Sequence, residues 1–178
     1  MTAPANDRGH VEEVLARERA HFIAQVHAVP AARRSARPAD GGWSAAEIVQ
    51  HVSRVEAGVA KLVGAGATMP RTATAAELAV AVIDERKVQL VRDRSVKVQA
   101  PERTHPQQAM DADAALVQLA ESRTALLAAF RTADPAVLDG VTWVHPAIGP
   151  LTLRAWVELV AHHDARHAQQ VAALITGA

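Results

Sequence analysis

Apolar residues recur at spacings of three and four along the long stretches of this chain, and proline and glycine gather between them. That rhythm is helical, and it limits the fold to helices packed by their apolar stripes. Val11, Val14, Leu15, Phe22, Val26 and Val29 predict a helix from about Asp7 to Val29, stopped by Pro30. A loop over Pro30–Gly42 leads to Ser44-Ala45-Ala46-Glu47, a capping box whose hydroxyl and carboxylate satisfy orphan N–H groups. The helix it opens runs to about Val63 with Ile48, Val52, Val55, Val59 and Leu62 inward, and Gly64, Gly66 and Pro70 end it. A second capping box, Thr74-Ala75-Ala76-Glu77, opens a helical segment to about Arg92, with Leu78, Val82, Val88, Leu90 and Val91 as its apolar positions. Residues 95–108 read as irregular. Another helix spans about Asp111–Thr132, with Leu116, Leu119, Leu126, Leu127 and Phe130 inward. A long connection over Pro135–Pro150 precedes a last helix, capped by Thr152 and reaching about Ile175. No stretch alternates as a strand would, and no internal repeat is visible. The expectation is an all-α, four-helix bundle with an additional helical segment in the middle connection, residues 1–178 forming one domain.

Composition narrows the function. Lys plus Arg equals Asp plus Glu at 19 each, so no global field draws the chain to nucleic acid or anionic membrane. Three Trp, two Phe and no Tyr leave little to build a base-stacking platform. With no cysteine, disulfides, thiolate metal sites and cysteine nucleophiles are excluded, and any metal must sit on nitrogen and oxygen ligands. The polar N-terminal residues lack the apolar core of a signal peptide, and no apolar run reaches the length of a membrane span, so a cytoplasmic location is expected.

The last helix carries Trp156, Val160, His163, His167, Val171 and Leu174 on one stripe, so His163 and His167 occupy positions where the pattern calls for core. His162 falls with Glu158, Arg166 and Gln169 on a more polar face. On the second helix His51 lies between Ile48 and Val55, again inward. Two readings fit: imidazoles hydrogen-bonded in the core, or a metal site. An i, i+4 pair brings two imidazoles close enough to share one ion, and a third from a facing helix completes a three-nitrogen set with open positions. Two other metal patterns fail. His163-Asp164-Ala165-Arg166-His167 superficially resembles the zincin His-Glu-x-x-His, but Asp is a methylene shorter than the required Glu. A di-iron bundle needs two helical Glu-x-x-His pairs, and Glu102-Arg103-Thr104-His105 lies between prolines.

Trp43-Ser44 through His51, and His163-Asp164-Ala165-Arg166-His167-Ala168-Gln169-Gln170, together resemble the DinB-like superfamily of helical bundles. Ala100-Pro101-Glu102 with Pro106, and His145-Pro146 through Gly149-Pro150-Leu151-Thr152 into Trp156, fit the same pattern over nearly the whole chain. The resemblance implies that His51, His163 and His167 are the metal triad, with zinc or nickel as the ion. It implies a metal-dependent enzyme acting on a small-molecule substrate, either a hydrolase or an S-transferase using a low-molecular-weight thiol, and a homodimer as the common assembly. A non-catalytic, metal-stabilised binding or dimerisation module is the alternative. Asp164 and Gln170 are candidates to orient the ligating rings from behind. Arg123 is read either as a snorkelling side chain or as an anion-binding group near the metal, and His10, His27, His105 and His145 as surface residues.

Overall fold

The computed structural model describes residues 8–68, 73–95, 99–107 and 109–176. The chain is mostly helical. Helices α1 (Arg8–Ala28), α2 (Ala45–Ala65), α5 (Ala112–Thr132) and α7 (Leu153–Thr176) form the bundle, α1 packing along α7 and α2 along α5, while α2 also touches α7. Between them lie α3 (Ala75–Val80), α4 (Glu85–Arg92), α6 (Pro135–Gly140) and a hairpin of β1 (Thr142–His145) and β2 (Gly149–Thr152). Asp7 and Pro70, expected to bound the first two long helices, lie outside the described residues. Among the described residues no helix is long and apolar enough to cross a membrane.

Local chemistry sets the boundaries. Both capping boxes form: Ser44 Oγ accepts from the Glu47 N–H at 3.2 Å while the Glu47 carboxylate takes the Ser44 N–H at 2.9 Å, and Thr74 with Glu77 does the same at α3. Arg37 adds an ion pair to Glu47. Thr152 Oγ1 accepts from the Ala155 N–H and starts α7 as expected.

Two expectations are corrected. The segment from Thr74 to Arg92 is two helices, because the Ala81 carbonyl is taken by the Thr152 N–H of β2 at 2.8 Å and Asp84 starts a new helix by accepting from the Lys87 N–H. Val82 and Leu90, two of the segment's apolar positions, are exposed. The connection after α5 contains strands where none was expected. They are four residues each, too short for alternation to show, and Trp143 and Val144 on adjacent positions are both exposed. Their register pairs Thr142 with Thr152 and His145 with Gly149, and Gly149 turns the chain at φ +81°, a conformation that favours glycine.

The core is divided. One apolar cluster holds Val11, Leu15, Val59, Val63, Leu126, Phe130, Val157 and Val160; a second holds Phe22, Val26, Ile48, Val52, Leu119, Ala168 and Val171, and a small third, Leu151, Ala155 and Leu159, lies under the hairpin. Between the first two clusters each of the four long helices turns polar side chains inward: Glu18 and Arg19 on α1, Glu56 on α2, Ser122 and Arg123 on α5, Asp164 on α7. There Arg19 donates to Asp164 and Glu56 at 2.9 Å each, Arg123 donates to Glu56 and, at 3.0 Å, to Asp164, and the Ser122 hydroxyl donates to Glu56 at 2.7 Å. Glu56 and Asp164 are wholly buried, so the layer survives because its two guanidiniums and two carboxylates neutralise one another.

Candidate metal centre

The register of α7 that turns Asp164 into this layer turns His163 and His167 toward α2, where His51 meets them. The Nε2 atom of His163 stands 3.2 Å from Nε2 of His51 and 3.1 Å from Nε2 of His167. His51 and His167 are buried, and His163 is partly buried. Behind the rings, the His51 Nδ1–H donates to the Thr104 carbonyl at 2.9 Å, and His167 Nδ1 lies 2.7 Å from Gln170 Oε1. Thr104 belongs to a single helical turn, Glu102–Thr104, in the segment expected to be irregular. Since a carbonyl only accepts, the proton of each of these rings sits on Nδ1 and the Nε2 lone pair is bare. Two bare lone pairs thus face one nitrogen of His163, whose own Nδ1 is buried without a hydrogen-bond partner among the described residues.

Electrostatics keep protons out of this cluster. Burial lowers the His51 pKa, with the Thr104 carbonyl working in the other direction. Burial, then the neighbouring rings of His167 and His51, holds His163 well below the ordinary imidazole value. Burial, then His51, brings His167 down to about 3. Neutral imidazole is the form that ligates a metal, so the donor set is ready near neutral pH. The spacing fits as well. Metal–nitrogen bonds of about 2.0–2.1 Å place nitrogens about 2.8–3.4 Å apart for bond angles from right to tetrahedral. The two separations to His163 fall within that range, and the three candidate ligand atoms all lie within 4.8 Å of one another.

Other residues land elsewhere than the sequence suggested. The Asp164 carboxylate is engaged by Arg19 and Arg123 and not by a triad ring; Gln170 is the polar group at a ring nitrogen. Arg123 neither snorkels nor reaches the triad, being held in the charged layer. His162, placed by the helical pattern on a polar face, is buried, because α4 lies against α7 and Arg92 donates to its Nδ1 at 3.2 Å. His105 and His145 are half-buried: His105 packs edge-on against Trp43, and His145 lies 5.1 Å from Trp156, ring to ring. Trp43, the residue before the α2 cap, covers His51 with ring centroids 5.0 Å apart.

Residues 14–171 match the profile of the DinB superfamily. The chain belongs to that superfamily. It is 23% identical over 140 residues, 76% of this chain and 78% of the relative, to the uncharacterized protein YuaE of Bacillus subtilis (strain 168). No solved structure matches significantly. In this DinB-superfamily chain the three histidines named from sequence lie together at the meeting of α2 and α7, with their candidate ligand atoms within 4.8 Å of one another.

Proposed function

We propose that this chain is a divalent-metal enzyme whose ion, zinc or nickel, is held by His51, His163 and His167, with positions left open for a small-molecule substrate. One observation carries the reading. Three Nε2 atoms converge at 3.1 and 3.2 Å, and two of the rings have their Nδ1 protons committed behind them. An Nε2–H on His163 can satisfy one of the two facing lone pairs, whereas a cation in its place accepts from all three nitrogens. When bound, a divalent ion lowers the pKa of a water or thiol toward neutrality and so supplies a nucleophile.

The chain's own residues do the rest. Thr104 and Gln170 fix ring orientation and tautomer, as the outer partners of metal-binding histidines do. Trp43 screens His51 from water. Because the chain has no cysteine, S-transfer needs a low-molecular-weight thiol as co-substrate, whereas hydrolysis needs only water.

The test is elemental analysis of tag-free protein, wild type against His163→Ala. Near one ion per chain in the wild type and loss in the variant supports the triad. No metal in either, after incubation with zinc and nickel, refutes it. With cobalt in the site, a spectral change on adding thiol favours S-transfer. An unchanged spectrum with turnover of esters or amides favours hydrolysis. A bound metal with neither outcome leaves a metal-stabilised binding module.

A further inference from the structure

A single helical turn, Glu102–Thr104, stops beside α2 and leaves two carbonyls that α2 takes. Within the turn the Thr104 N–H bonds the Pro101 carbonyl and the His105 N–H bonds the Glu102 carbonyl. The next donor, for the Arg103 carbonyl, would come from residue 106, and that residue is proline, which has no N–H. Arg54 of α2 supplies it instead, from Nε at 3.1 Å and from Nη2 at 2.8 Å. The adjacent Thr104 carbonyl takes the Nδ1–H of His51. His51 and Arg54 stand three residues apart, so one face of α2 meets two consecutive carbonyls. The turn is also closed on itself. Thr104 Oγ1 donates to the Pro101 carbonyl at 2.7 Å, and the His105 Nε2–H donates to the Ala100 carbonyl at 2.8 Å. Residues 100–105 therefore act as one piece, and whatever fastens any part of it to α2 also holds the Thr104 carbonyl.

That carbonyl decides which nitrogen of His51 carries the proton. With the turn in place the proton sits on Nδ1, and Nε2 offers its lone pair toward His163, 3.2 Å away. If the turn lifts, Nδ1 loses its acceptor and the other tautomer gains one, since Nε2–H can donate to the His163 Nε2 lone pair across the same 3.2 Å. A proton then occupies the direction that an ion needs. Thr104 is buried, but Pro101, Glu102 and Arg103 around it are exposed. The turn is fastened to α2 by two bonds from Arg54 and one from His51, while Trp43, beside the start of α2, meets His105 edge-on. Two of those three bonds belong to Arg54.

We propose that Arg54 is a positioning residue for the metal centre: by clamping the Arg103 carbonyl it keeps the Thr104 carbonyl on His51 Nδ1, and so keeps the His51 Nε2 lone pair directed into the triad. The inference rests on the triad reading, and its test separates the two. Tag-free, metal-free protein labelled with nitrogen-15 shows the His51 tautomer in a long-range nitrogen–proton correlation spectrum, the ring being assigned by its loss in His51→Gln. Competition with a chromophoric chelator gives the zinc affinity. The wild-type ring is expected in the Nδ1–H form. Arg54→Met, which keeps the side-chain stem and removes its donors, is expected to turn His51 into a mixture with the Nε2–H form and to weaken zinc about tenfold. Arg54→Lys, which keeps a charged donor without the planar fork, should recover part of both. Arg131→Gln, which removes a surface arginine paired with Glu12, serves as the control and should change neither. A wild-type ring already in the Nε2–H form, an unchanged tautomer in Arg54→Met whatever its melting temperature, or an unchanged zinc affinity overturns the proposal and leaves the metal reading standing. Should the wild type bind no metal, the triad reading fails, and the tautomer decides the clamp alone: a shift in Arg54→Met supports it, and no shift overturns it.

Discussion

Replacing Glu56 by Gln gives the sharpest test of how the bundle is held together. Glu56 is wholly buried and accepts from Arg19, Arg123 and Ser122. The amide keeps the shape but loses the charge, leaving two guanidiniums against Asp164 alone. Breaking a buried pair by removing one charge costs about 3–5 kcal/mol, because the remaining charge is desolvated without compensation. For a chain of this length each kcal/mol moves the melting temperature by about 2–4 °C, so a fall of roughly 6–20 °C is expected. Urea unfolding of the metal-free protein, followed by circular dichroism, measures the free energy directly. The double variant Glu56→Leu with Arg123→Met removes one charge of each sign, leaving Arg19 with Asp164, and should recover part of the loss. A loss under about 1 kcal/mol for Glu56→Gln would show that water or side-chain movement relieves the layer, and would refute the account of it as a dry, balanced charge cluster.

Two further outcomes follow from the site and its surroundings. Burial, then the charge of Arg92, holds His162 at about 4 against 6.5 for a free imidazole. The unfolded chain therefore binds the proton first, and stability is lost as pH falls from 6.5 toward 4, by about 3 kcal/mol for this group. Urea midpoints of metal-free protein between pH 7 and pH 4.5 measure the slope, which His162→Gln should reduce while the triad rings, also held low, supply the rest; an unaltered slope would place the titration elsewhere. Gln170→Leu removes the acceptor at His167 Nδ1 and should weaken metal binding about 10–100-fold, read by competition with a chromophoric chelator. Unchanged affinity would assign Gln170 no part in orienting the ring.

Much of this architecture is legible in the residues themselves. The long helices, their capping boxes and the inward positions of His51, His163 and His167 all follow from spacing, because helical period and capping are local properties. What sequence hides is where a stripe is interrupted on purpose. Val14, Leu15, Phe22 and Val26 continue across Glu18 and Arg19, and Val52 and Val59 flank Glu56, so the gaps are visible. Each gap read alone resembles an ordinary solvated charge, and only the packing of four helices shows that they meet. The hidden hairpin and the split of α3 from α4 have the same origin. The Ala81 carbonyl and the Thr152 N–H that join them lie far apart along the chain. The burial of His162 likewise depends on α4, which no periodicity along α7 can reveal.

The charged layer also bears on how this chain can change over generations. It separates an apolar compartment around Phe130 from one around Phe22, and each helix crosses it at one fixed turn. A helix sliding by one turn, about 5.4 Å, would carry its ionised residue into hydrocarbon, so the crossing point acts as an address for each helix. His51 lies five residues from Glu56, and His163 and His167 flank Asp164. The spacing of the three nitrogens is thus keyed to the layer and not to the far compartment. Substitutions around Phe130 can accumulate there as distant, additive changes while the donor geometry stays intact. Drift at one end of the bundle and constancy at the other is the pattern such an arrangement permits.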